Sequence, residues 1–261
     1  MFRKIKYSVS AGIAYVVLDS PKNLNALDEE MIGELLTVLD TCEDSEDVKV
    51  VIISGQGKVF SAGGDIGTMY KGLKGGSWDS SGAVDNVGKV SLKIKKLSKP
   101  VIASLKGVVA GAAFNIALAC DFRIAAEDTK FIQAFVNIGL VPDAGGIYLL
   151  TRAIGVSKAT ELVMTGKPID ANTAFELGLV NKIFSAENIE ANTEEFALKL
   201  VNGPTLAYAG MKELIFESEY KEFENYIKKE VHNQLKCIDS MDFKEGVFAF
   251  VEKRIPNYQG R

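Results

Sequence analysis

Apolar and polar positions alternate between two periods along the first half of the chain. Short β-rich runs appear as GIAYVVLD from Gly12, VKVVIIS from Val48, PVIASL from Pro100 and DFRIAA from Asp121. Two of these are near-continuous apolar runs, the pattern of strands covered on both faces. Between them the period lengthens. Met31, Leu35, Leu36 and Leu39 share one face of a helix, behind Asn25-Ala26-Leu27-Asp28, an N-cap-like start. Strands alternating with helices predict right-handed crossovers and an α/β layered fold. The stretch Gly72–Gly82 (GLKGGSWDSSG), carrying Trp78, reads as a mobile loop, of the kind that borders a site.

From about Ala144 the pattern turns helical: AGGIYLLTRAIG, SKATELVMTG, DANTAFELG and longer helices through Lys253, with one short strand, LVNKIF from Leu179. This predicts an α/β core over residues 1–200 and a helical region over 201–261, its last three helices standing apart from the core. No internal repeat is visible.

Composition narrows the functional classes. A chain of 261 residues, 47% hydrophobic and 25% charged, can bury one broad domain or two small ones. A net charge of −4 creates no global field for nucleic acid or an anionic membrane, so neither is expected as a partner. The single histidine, His232, excludes a multi-histidine metal site, and no metal is expected. Cys42, Cys120 and Cys237 are widely separated, which favours a reducing compartment. The opening MFRKIKYSVS lacks an apolar h-region, and the apolar stretch Val101–Cys120 is interrupted by Lys106 and Asn115. A cytoplasmic protein is expected. Lys93, Lys95, Lys96, Lys99 and Lys106 form a basic cluster that reads as a solvated face.

Common cofactor and nucleophile signatures are absent. No G-x-G-x-x-G follows a strand, neither SGQGK nor MTGKP has the earlier glycine of a phosphate loop, and H-E-x-x-H and G-x-S-x-G do not occur. Chemistry must therefore come from backbone donors and carboxylates. Three segments offer them. Phe60-Ser61-Ala62-Gly63-Gly64-Asp65-Ile66 follows the second strand, and Gly107 to Asn115 follows the third. Each alone reads as an ordinary glycine turn or a closely packed helix entry. Together, two such turns could aim two N–H groups at one point, an oxyanion hole. The third segment, Ile138 to Gly146, contains Asp143. That residue is either a helix N-cap, which would lower its pKa, or a carboxylate in an apolar pocket, which would raise it.

The three segments, in this order and behind these strands, resemble the enoyl-CoA hydratase/isomerase (crotonase) family. Pro21-Lys22-Asn23-Leu24-Asn25-Ala26-Leu27, Lys99-Pro100-Val101-Ile102-Ala103 and Ala119-Cys120-Asp121 extend the resemblance over nearly the whole chain. It implies a ClpP/crotonase spiral of ββα units with a helical C-terminal region for trimerisation or as a lid. It implies acyl-CoA thioester chemistry in a homotrimer or a dimer of trimers, and Phe196, Leu198, Leu200 and Val201 supply a candidate apolar face. Coenzyme A enters with the substrate and no other cofactor is implied. Carried over by position, the N–H groups of Gly64 and Ala112 form the oxyanion hole. Lys22, Leu24, Ala26, Ala62, Phe243 and Lys253 border coenzyme A.

The departures from the family are informative. Hydratases of this family use two glutamates, and here Asn115 and Phe135 stand at those positions. Adding water needs an organised nucleophile and a proton donor, which this pair cannot supply. Asp143 in IGLVPDAGG instead resembles the isomerases with an aspartate in this turn, including ring-opening isomerases. Dehalogenases with the same aspartate need a histidine in the helix reading VSLKIKKLS, which has none. The expectation is therefore a 3-enoyl to 2-enoyl or ring-opening isomerase working through a thioester enolate, with Asp143 as its base. A hydratase of unusual mechanism, a silent acyl-CoA-binding protein and an RNA-binding module are the alternatives.

Overall fold

The computed structural model describes residues 2–76 and 81–261. In chain order the strands are β1 (Ile5–Ser10), β2 (Ile13–Leu18), β3 (Val50–Gly55), β4 (Val101–Leu105), β5 (Val108–Ala110), β6 (Phe122–Ala126), β7 (Lys130–Ile132), β8 (Ile169–Asp170) and β9 (Lys182–Phe184). Only β1 and β2 pair antiparallel in the larger sheet, whose order is β1-β2-β3-β4-β6-β9. The remaining pairs there are parallel, with Ile13 beside Val50 and Val51 beside Val101. The smaller sheet runs β5-β7-β8.

The helices are α1 (Glu29–Asp44), α2 (Ile66–Gly75), α3 (Ser81–Lys96), α4 (Ala112–Ala119), α5 (Gly146–Thr165), α6 (Ala171–Glu176), α7 (Ile189–Val201), α8 (Thr205–Ile215), α9 (Phe223–Ile238) and α10 (Met241–Glu252). Twice in succession the chain runs from a strand of the large sheet to one of the small sheet and then into helix: β4-β5-α4, then β6-β7 and a short 3-10 helix, Ala134–Ile138. This is the expected repetition of ββα units with a helical C-terminal region.

Both faces of the large sheet are covered, which explains the near-continuous apolar strands. One face, with Val16, Val51, Ile53 and Leu105, shares a core with Met31, Leu35 and Leu39 of α1. Asp28 caps α1, its carboxylate accepting the Met31 N–H. The opposite face, with Ile13, Val50, Ile52, Ile102 and Ile124, packs under Ile189, Ala197 and Val201 of α7.

Several expectations change here. Phe196, Leu198 and Leu200 are half-buried, packing with Val201 against the chain's own sheet, so part of that face is engaged within the chain. The helices beyond residue 201 do not stand apart, because Phe223, Ile227, Phe243 and Val247 belong to the main core. Gly72–Gly75 is the end of α2 rather than loop, and Trp78 lies outside the described residues. The basic cluster is not a uniform solvated face: Lys99 donates to the carbonyls of Cys42, Glu43 and Ser45 at the end of α1, and Lys93 pairs with Asp40. His232 is exposed on α9. Among the described residues no helix is long and apolar enough to cross a membrane.

Candidate active site

The first two small-residue segments lie against each other. Beyond β3, Ser61 bridges to Val109 of β5: its N–H donates to the Val108 carbonyl and its own carbonyl accepts the Ala110 N–H. Gly63 follows with φ +84°, and a Cβ there would come within 2.6 Å of the Ala110 carbonyl oxygen. Only glycine fits both that conformation and that approach. Asp65 then caps α2 by accepting the Thr68 N–H, while Gly111 turns the chain into α4.

The outcome is that Gly64 and Ala112 line one cavity. Neither main-chain N–H donates to a protein acceptor among the described residues. The cavity, about 110 Å³, is walled by Leu27, Ile66, Met69, Phe135, Ile138 and other apolar side chains. Asp143 lines it too and is the one ionisable side chain among its described lining residues.

The turn carrying Asp143 resolves its two readings. The N-cap of α5 is Gly145, without a side-chain cap, and only the main-chain carbonyl of Asp143 accepts the Gly146 N–H. The carboxylate does not cap. Its Oδ2 accepts a 3.5 Å hydrogen bond from Gln234 Nε2, and its buried Oδ1 has no partner among the described residues. Burial pushes its pKa up to about 7, opposed by hydrogen bonds from its own backbone and from Gln234.

Asn115 and Phe135 occupy different places. Phe135, in the short 3-10 helix, forms part of the cavity wall. Asn115 is buried, donating to the Asp143 carbonyl (2.8 Å) and accepting from Gln133 Nε2 (2.7 Å). It braces the aspartate turn, and a Cβ at Gly146 would collide with it at 2.2 Å.

The proposed coenzyme border is divided. Ala62 lines the cavity beside Gly64, and its N–H donates to the Leu24 carbonyl. This ties on the segment holding exposed Lys22, half-exposed Leu24 and buried Ala26. Phe243 is fully enclosed in the core, so its ring has no surface to offer a ligand in this chain. Lys253 is exposed where α10 ends, with φ +56°.

Two residues near Asp143 went unnoticed in the sequence. Glu230 Oε1 accepts the Gly145 N–H at 2.7 Å, and Gln234 stands one turn further along α9. Burial and the Asp143 charge push the Glu230 pKa up to about 8, eased by the Gly145 N–H and the Tyr226 hydroxyl. Their signal was present: the buried stripe of α9 runs Phe223, Ile227, Glu230, Gln234 at helical spacing, with polar groups at two apolar positions.

Comparison with known proteins agrees with this architecture. The enoyl-CoA hydratase/isomerase family model matches residues 8–261. The chain is 40% identical to a trans-2-decenoyl-[acyl-carrier-protein] isomerase of Streptococcus mutans, covering 100% of this chain and 99% of the relative. It is 35% identical to a probable enoyl-CoA hydratase of Bacillus subtilis, covering 98% of each. A crystal structure of an enoyl-CoA hydratase from Mycobacterium avium subsp. paratuberculosis superposes with a TM-score of 0.90 at 29% identity, over 99% of this chain and 100% of that one. With strands, turns and cavity in the same order across the whole length, this chain belongs to the enoyl-CoA hydratase/isomerase family.

Proposed function

We propose that the protein is a thioester isomerase that moves a double bond from the 3-enoyl to the 2-enoyl position, with Asp143 as its only acid–base group. The observation that carries this reading is the cavity wall itself. Among the described residues it presents one carboxylate and two unengaged N–H donors, with the Phe135 ring beside them.

The C2 proton of a 3-enoyl thioester is acidified by the carbonyl on one side and the alkene on the other. Ionised Asp143 removes it, and the electron pair moves onto the thioester oxygen. The N–H groups of Gly64 and Ala112 hold the resulting enolate oxygen; each such donor contributes on the order of 3 kcal/mol to the transition state. The aspartic acid then returns the proton at C4, and the enolate collapses to the conjugated product. One carboxyl group completes the cycle, so no second acid and no added cofactor are required. A base whose pKa lies close to the working pH both takes and returns the proton readily.

The segment with Lys22, Leu24, Ala26 and Ala62 borders the carrier, which is coenzyme A or the acyl carrier protein named for the Streptococcus relative. A homotrimer or a dimer of trimers completes the proposal. The exposed apolar side chains of α8, Leu206, Met211, Leu214 and Ile215, are the surface suited to it.

The test is a panel of paired 3-enoyl and 2-enoyl thioesters on both carriers, read by mass spectrometry and ultraviolet absorbance. Isomerisation leaves mass unchanged and creates a conjugated chromophore. Hydration adds one water, and its appearance as the main product would refute the proposal.

A further inference from the structure

We propose that Glu230 and Gln234 of α9 are positioning residues for Asp143, fixing the turn that carries it and the direction of its carboxylate. The inference rests on the reading of Asp143 as the base.

The turn needs outside support. Ala144 is held at φ +54° and Gly145 at φ +77°, and the α5 N-terminus has no side-chain cap of its own. Asn115 of α4 holds the turn from one side through the Asp143 carbonyl. Glu230 holds it from the other, accepting the Gly145 N–H two residues past the base. The close approach of α9 is built in: a Cβ at Gly145 would meet the Phe223 ring at 2.2 Å.

The carboxylate itself has one side-chain partner among the described residues, Gln234 Nε2 at 3.5 Å. Besides that amide only its own backbone N–H bears on the carboxylate, so Gln234 is the side-chain restraint on rotation about the Cβ–Cγ bond. Burying a carboxyl and an amide in an otherwise apolar helix stripe is unfavourable unless both are engaged. Yet Glu230 Oε2 and Gln234 Oε1 have no partner among the described residues. The pair therefore costs stability where leucines would add to it, which points to a role in aiming the base. A displacement of about 1 Å at a reacting group can cost on the order of 100-fold in rate.

Four variants test the assignment on whichever 3-enoyl thioester the enzyme turns over. Gln234→Leu keeps the volume and removes the amide. It should lower kcat by roughly 10–100-fold with KM nearly unchanged. It should also move the acid limb of kcat/KM to higher pH, because the amide favours the ionised carboxylate. The ionisable groups around Asp143 are Glu230 and Tyr226 of α9, with the Tyr148 ring of α5 tilted against that of Tyr226; Asn115 of α4 and the other described cavity walls add none. Carbon-13 NMR of the Asp143 carboxyl reads the same shift without turnover.

Glu230→Ala should lower kcat by a similar factor, and Glu230→Gln, whose oxygen still accepts the Gly145 N–H, should restore most of it. Wild-type kcat and an unmoved acid limb in Gln234→Leu, or Glu230→Gln as slow as Glu230→Ala, overturn the proposal. Asp143→Asn separates the two layers. If it keeps turnover, the base itself is misassigned. If it is inactive while Gln234→Leu is unaffected, only the positioning role falls.

Discussion

Replacing Asp143 by asparagine should make the protein more stable at alkaline pH while abolishing turnover. The carboxyl has its ordinary pKa of 3.8 in the unfolded chain and about 7 in the fold. The folded chain therefore holds this proton more tightly than the unfolded one. Below about pH 4 the group is protonated in both states and has no effect on stability. As pH rises towards 7 the unfolded chain ionises freely and the folded chain does not, so stability falls, reaching its full loss above the folded value. Moving an aspartate from 3.8 to about 7 corresponds to roughly 4 kcal/mol.

Asparagine has nearly the same size and never ionises, so it escapes this penalty. For a chain of 261 residues, 4 kcal/mol corresponds to a Tm difference on the order of 10 °C. An amide group without a full set of partners offsets part of it. The assay is thermal unfolding of both proteins across pH, followed by circular dichroism. The difference in Tm should be largest near pH 8 and fall to less than half by about pH 5. Turnover should drop by about 1,000-fold or more, with acyl-CoA affinity preserved. A Tm difference that is absent or independent of pH would refute the buried-carboxylate reasoning. A destabilised variant that still isomerises would refute the base.

Other consequences follow from the same geometry. The pH profile of wild-type kcat/KM should rise to a plateau above about 7, the value for Asp143, as measured with a non-titrating substrate. Gly64→Pro removes one oxyanion donor and should lower kcat by roughly 100- to 1,000-fold, circular dichroism confirming the fold. Asn115→Ala leaves the Asp143 carbonyl and the Gln133 amide without their partner. It should destabilise the protein by about 1–3 kcal/mol in chemical denaturation. In solution, light scattering should give the mass of a trimer or hexamer, and Leu206→Asp with Leu214→Asp, both on the exposed face of α8, should shift it towards monomer.

The large sheet was legible because its strands carry a physical signature. β3 and β4 are apolar on both faces, and each is followed by the small residues that let two turns meet. The meeting of the two turns was legible for the same reason: glycine at Gly63 is demanded by its φ and by the Ala110 carbonyl. The short strands were not. β5 is three residues inside a segment that looks like a helix entry, and β7 is three more, too few for a period to show. The destination of the α7 apolar face was equally hidden, since a helix that covers its own sheet and one that covers a neighbour's carry the same stripe. For Asp143 the sequence allowed opposite pKa shifts, because capping and burial differ only in where the side chain points. The side-chain amide that meets its carboxylate, on α9, lies about ninety residues further along the chain.

On the proposed reading, burial is what makes a single weak acid an adequate base. An exposed aspartate at its ordinary value would be a poor acceptor for a carbon-bound proton. Phe135 adds an apolar ring to the cavity wall, and Asp143 shares that wall with Ile138, Leu140 and Ile238. Desolvation raises its proton affinity, which is the direction catalysis needs. Asn115 donates to the Asp143 main-chain carbonyl and so braces the turn that carries the carboxyl. The energetic burden is roughly 4 kcal/mol above neutral pH. Burying two large apolar side chains returns about that much, and the core beside this turn includes Leu149, Phe223 and Val247 among many others. A fold with so wide a core can keep one carboxyl group poorly solvated and still be stable, whereas a second ionised carboxylate in the same cavity would add like-charge repulsion to the desolvation.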